Sequence, residues 1–165
     1  MPYKCDTIKD AKDFILKYES QPHLIYGLDR FAYTYISDTF PQKVNWNNDK
    51  ILTFTIDIEV QCDNGFPNPE TAIEPLLSIT VKNQQSKKII VWGTQPYKNT
   101  REDVTYIRCP NEHDLILEFM SFWTKNYPDV ITGWNTDFFD VPYLCNRIFK
   151  VCGESKMREL SPWGN

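Results

Sequence analysis

Apolar and polar positions alternate most cleanly over residues 51–60. Leu52, Phe54, Ile56, Ile58 and Val60 take one face of an extended chain; Ile51, Thr53, Thr55, Asp57 and Glu59 take the other. A Gly/Pro-rich loop follows at 63–75. Extended stretches at about 76–82 and 87–92 flank Asn83-Gln84-Gln85-Ser86, which predicts a hairpin. A short strand at 104–108 precedes Pro110-Asn111. Asn111 is a good N-cap, with Glu112 and Asp114 beside the positive helix end, and the helix runs to about Lys125. Its stripe of Leu115, Ile116, Phe119, Met120, Phe122 and Trp123 predicts a buried face. Residues 129–134 read as a buried strand ending in a loop. A second helix starts near Asp140, takes Pro142 in its first turn, buries Val141, Leu144, Cys145 and Ile148, and stops at Gly153.

Upstream, residues 7–19 place Ile8, Ala11, Phe14, Ile15 and Tyr18 at helical spacing, with Thr7 or Asp6 as cap. Residues 31–36 read as a strand. The polar break at 46–50 predicts a junction, dividing the chain into 1–49 and 50–165. From residue 51 onward, three strands followed by helices predict an α/β fold, a mixed sheet flanked by helices.

Composition adds exclusions. The 165 residues are 41% hydrophobic and 15% aromatic, too rich in core formers for a disordered chain. No apolar run is long enough for a bilayer span, and the first residues contain no apolar signal region, so a soluble intracellular chain is expected. Five cysteines without a CxxC pair and two distant histidines argue against a zinc site or a disulfide framework. Any metal must therefore be held by carboxylates, and no Ser-His-Asp or Cys-His set is evident. Residues 51–140 carry 13 acidic and 7 basic residues, so the chain lacks the basic footprint of a protein that grips long duplex DNA.

Asp57 and Glu59 lie two apart on the predicted strand, on one face and roughly 6.6 Å from each other. Such a pair is either an ordinary wet face or a site where a cation relieves like-charge repulsion. Two-metal phosphoryl transfer uses carboxylates of this kind. Asp140, before Val-Pro at a helix start, is, taken alone, better suited to N-capping than to metal ligation, with Asp137 as its competitor. Trp134, Phe138 and Phe139 read as core, or as a platform for stacking single-stranded bases.

Taken together, Ile56-Asp57-Ile58-Glu59-Val60 and Gly133-Trp134-Asn135-Thr136-Asp137-Phe138-Phe139-Asp140-Val141-Pro142-Tyr143-Leu144 resemble the first two exonuclease motifs of family B DNA polymerases. Tyr35 to Phe40, Gly65 to Pro69, Glu112 through Trp123, Asn146-Arg147-Ile148, Gly153-Glu154-Ser155 and Leu160-Ser161-Pro162 are similar to the T-even-type bacteriophage branch of that family. The resemblance implies a ribonuclease-H-like 3′→5′ proofreading domain over 50–165, preceded over 1–49 by part of the polymerase N-terminal domain. It implies two ions, Mg²⁺ or Mn²⁺, with Asp57 bridging both and Glu59 and Asp140 each supporting one. Asn135, Phe66 and Phe139 would lie near the single-stranded primer end. The implied partners are DNA and the rest of the polymerase chain, in the cytoplasm of an infected bacterium.

The family's third motif has no counterpart. No Tyr-x-x-x-Asp follows Asp140, where Tyr143 is followed four positions later by Arg147. The resemblance thus implies an incomplete domain, with a fourth carboxylate and a water-orienting tyrosine missing, and little activity alone. Missing strands would leave a sheet edge open to self-association. Two other functions stay open: a non-catalytic nucleic-acid-binding or assembly piece of a split polymerase, and a complete small exonuclease, which the missing carboxylate disfavours.

Overall fold

A computed structural model of the chain describes residues 3–26, 30–42, 47–63 and 65–164. It divides into two compact units, Met1–Trp46 and Asn47–Asn165.

In the first unit, helix α1 spans Ile8–Lys17. Thr7 caps it and forms a capping box, its side chain accepting from the Asp10 N–H while Asp10 accepts from the Thr7 N–H. Phe14 stacks on Tyr3 at 3.8 Å between ring centres, yet no α1 residue is buried. Residues 31–36 are not a strand: α2 runs over Phe31–Thr39. The unit contains no strand among its described residues. An extended segment there would have no partner for its N–H and C=O groups, whereas a helix closes its own hydrogen bonds.

The second unit is a five-stranded mixed sheet flanked by helices. Its strands are β1 (Thr53–Val60), β2 (Leu76–Asn83), β3 (Ile89–Gly93), β4 (Val104–Arg108) and β5 (Val130–Thr132), in spatial order β4-β3-β2-β1-β5. β1, β2 and β3 pair antiparallel, while β4 joins β3 and β5 joins β1 in parallel. The turn after β2 closes with Lys87 in the left-handed region at φ 62°.

The even-numbered face of β1 builds the core. Phe54, Ile56 and Ile58 are buried, while Asp57 and Glu59 face solvent. Helix α3 (Glu112–Trp123), capped by Asn111, lays Leu115, Ile116, Phe119, Met120 and Trp123 on that face. Trp92 meets Phe119 edge-on at 5.5 Å. Helix α4 (Asp140–Cys152) adds Tyr143, Leu144 and Ile148, and Gly153 at φ 85° separates it from α5 (Glu154–Arg158). Val141, Cys145 and Phe122 are only half-buried, and Tyr143 takes the deep position instead.

β5 departs from the buried strand expected at 129–134. All three of its residues are exposed, because it lies at the sheet edge with β1 as its single neighbour. An apolar run looks alike in a central strand and an edge strand, so sequence pattern does not separate them. No helix among the described residues is long and apolar enough to cross a membrane.

Candidate active site

β1 loses its second neighbour partway along. Its pairing with β5 ends at Thr55 opposite Thr132, so the backbone from Ile56 onward has a free edge on that side. Two groups from the following loop and helix occupy it. Gly133 comes so close that a Cβ there would stand 2.6 Å from the Ile56 carbonyl oxygen and collide with Thr136 Oγ1. The Asp140 carboxylate then accepts the Ile58 N–H at 3.1 Å. The approach of Gly133 thus lets the chain turn back toward β1.

Asp140 is not the N-cap of α4. That position belongs to Phe139, and Asp140 is the first residue of the helix with its side chain turned to β1. Asp137 makes no capping bond either, since the cap lacks any side-chain hydrogen bond. The turn before the helix is built on Asn135 at φ 57°, whose carbonyl accepts the N–H groups of Phe138 and Phe139 at 3.1 and 3.0 Å. Asn tolerates this left-handed conformation better than most residues. The Thr136 carbonyl accepts the Val141 N–H at 3.0 Å, but its buried hydroxyl has no protein partner.

Asp140 is 4% exposed. Burial pushes its carboxyl pKa above the ordinary range; the Ile58 N–H opposes the rise, and the Asp57 charge adds to it. Across the sheet, Asp57 stands opposite Thr80 and Glu59 opposite Ser78. No ion pair among the described residues includes Asp57, Glu59 or Asp140. The Asp57 charge thus acts on Asp140, and no ion pair among the described residues neutralises either carboxylate. Glu59 shares the face of Asp57, but no three Asp, Glu, His or Cys side chains among the described residues are grouped closely enough to hold an ion. The donors present are carboxylate oxygens, suited to hard divalent cations such as Mg²⁺ and Mn²⁺.

Aromatic side chains surround this corner. Phe66, 81% exposed, packs its ring 5.0 Å from that of Phe139, which in turn lies 5.5 Å from Tyr143. Trp134 and Phe138, expected in the core, are 93% and 79% exposed. Both sit in the turn that Asn135 makes, which projects them outward while Thr136 goes in. The contribution of Gly133 went unrecognised in the sequence; a glycine just after a strand was the available signal.

Residues 15–161 match the sequence profile of the exonuclease domain of DNA polymerase family B. The DNA-directed DNA polymerase of Escherichia phage RB69 is 31% identical over 94% of this chain and 20% of its own length. That of Enterobacteria phage T4 is 28% identical over 99% of the chain and 21% of its own. The DNA polymerase catalytic subunit of human herpesvirus 7 is 30% identical over 63% of the chain. The chain thus spans about a fifth of the length of the phage relatives. With the exonuclease-domain profile matched over most of the chain and the mixed sheet in place, the chain belongs to family B DNA polymerases of the T-even phage type.

Proposed function

We propose that this chain supplies the first two carboxylate motifs of the metal-dependent 3′→5′ exonuclease centre of a phage-type DNA polymerase, which in the complete enzyme removes nucleotides from a single-stranded primer end. The observation that carries the proposal is the Asp140–Ile58 hydrogen bond, which joins the two acidic motifs across an otherwise free strand edge. Asp57, Glu59 and Asp140 are the candidate ligands for Mg²⁺ or Mn²⁺, two ions in the full enzyme. Bound cations would activate water and offset charge on the phosphate. Water attacks phosphorus as the bond to the 3′ oxygen breaks, leaving a nucleoside 5′-monophosphate and a strand shortened by one residue.

The protein's own part is orientation. Asp140 is held by backbone, so its carboxylate needs little reorganisation when a cation arrives. Asp57 and Glu59 offer oxygens from the open face of β1. Phe66 and Phe139 present an aromatic pair for stacking the terminal bases, with Asn135 beside them. Within this proposal residues 1–49 belong to the polymerase N-terminal domain and 50–165 to the exonuclease, and the rest of the polymerase is the natural partner in the bacterial cytoplasm. The one-sided edge of β5 offers a route to self-association.

A degradation assay with 3′-labelled single-stranded DNA and Mn²⁺ tests this function. The chain alone should cleave near background, because misplacing reacting groups by about 1 Å can cost on the order of 100-fold. Supplying the remaining polymerase segments in trans should restore cleavage that Asp57→Ala abolishes. Restored cleavage insensitive to Asp57→Ala would contradict the proposal.

A further inference from the structure

Helix α4 carries Asp140 at its first turn and also grips the connection between β1 and β2. That loop, residues 61–75, is closed at its mouth by the Gln61 N–H donating to the Pro75 carbonyl at 3.0 Å. Within it, the Asn68 side chain accepts the Glu70 N–H at 2.8 Å, and Ala72 is fully buried. Three residues of α4 hold the far side. Tyr143 donates its hydroxyl to the Glu74 carbonyl at 2.6 Å, and Asn146 donates its amide to the Pro69 carbonyl at 2.9 Å. Arg147 Nη1 donates to the Ala72 and Ile73 carbonyls at 3.1 and 2.5 Å.

Arg147 does more than close a contact. Its Nε and Nη2 each donate to Glu112 at 2.7 Å, one to each carboxylate oxygen. Glu112 Oε1 also accepts the Leu76 N–H at 2.7 Å, where the loop ends and β2 begins. The two side chains are 13% and 16% exposed. A guanidinium can serve the carboxylate and the carbonyls together because its donors form a planar fork; a lysine ammonium has no such geometry. At the loop's near end, Gly65 at φ +100° makes the turn that delivers Phe66 to Phe139.

We propose that Arg147 is a positioning residue: by fastening loop 61–75 to α4 and α3 it sets Phe66 against Phe139, so that one helix fixes both the aromatic pair and the Asp140 carboxylate. The bearing of this on DNA rests on the exonuclease function proposed above; the placement of Phe66 does not.

Hydrogen exchange read by mass spectrometry on the whole chain separates the two. In Arg147→Met, which keeps an apolar stem, amides of residues 65–75 should exchange about 10-fold faster while those of β1, α3 and α4 are unchanged. Arg147→Lys, the milder change should Arg147→Met fail to fold, should loosen the same segment. Uniform acceleration across the sheet, or no change in Arg147→Lys, would overturn the proposal. Anisotropy with labelled oligothymidine supplies the second arm. Arg147→Lys and Phe66→Ala should each weaken binding about 10-fold, the double variant no further than Phe66→Ala alone. Additive losses would overturn action through Phe66. If Phe66→Ala leaves oligothymidine binding intact, the DNA-binding function fails and the exchange pattern alone decides the placement.

Discussion

The Asp140 carboxylate accepts the backbone N–H of Ile58 at 3.1 Å, although the two residues lie 82 positions apart. This bond ties the start of α4 to the strand that bears Asp57 and Glu59, and it leaves an acidic side chain 4% exposed. A buried carboxylate near another is unfavourable unless a proton or a cation joins it.

A pH-dependent cost follows. The Asp140 pKa is raised on folding, so the folded chain keeps a proton that the unfolded chain has already lost. Stability from this group is therefore fully present below the ordinary carboxylate range and is lost as pH rises to the folded value. Asp140→Asn keeps an oxygen acceptor for Ile58 and removes the charge. Thermal melts without divalent cations should show Asp140→Asn gaining on the native chain between acid and neutral pH. The scale is about 2–4 °C per kcal/mol at this size. A difference that does not vary with pH would count against it.

Gly133→Ala should be costly despite the small side chain. The new methyl would meet the Ile56 carbonyl and Thr136 Oγ1, neither of which can withdraw freely. Overpacking of this kind costs about 1–3 kcal/mol. Urea denaturation of Gly133→Ala beside the native chain measures the cost of close approach. A midpoint unchanged from that of the native chain would show that Gly133 is not chosen for contact with β1.

Phe66 should separate binding from stability. Its ring is largely exposed, so Phe66→Ala should leave the urea midpoint nearly unchanged. Loss of a stacking surface should weaken oligothymidine binding by about 1–3 kcal/mol. A large drop in stability with unchanged binding would make the ring structural.

The strand 53–60 and helix 112–123 were readable from sequence because each has one apolar face and, for the helix, an Asn cap three positions from Asp114. The stretch at 31–36 misled because its aromatic and β-branched residues suit a strand, while the deciding factor is whether a partner strand exists. Trp134 and Phe138 misled for a related reason: hydrophobicity predicts burial only where the backbone points inward, and the Asn135 turn sends them out. Asp57 and Glu59 were correctly assigned to one face of β1 from period alone. The bond from Asp140 to Ile58 was beyond such reasoning, since it depends on β5 ending its pairing at Thr55. Nor could spacing reveal that Arg147 answers Glu112, because the pair is assembled only when α4 crosses to α3.

The most direct measurement is a Mn²⁺ titration of the chain followed by electron paramagnetic resonance, alongside Asp57→Asn and Asp140→Asn. If these carboxylates form the catalytic cation site, the native chain should take up Mn²⁺ weakly, as expected for an incompletely liganded hard cation. Each variant should then lower the affinity by about 10-fold or more. Uptake of Mn²⁺ that is identical in all three proteins would contradict a cation site at Asp57 and Asp140, and with it the exonuclease function proposed for this chain.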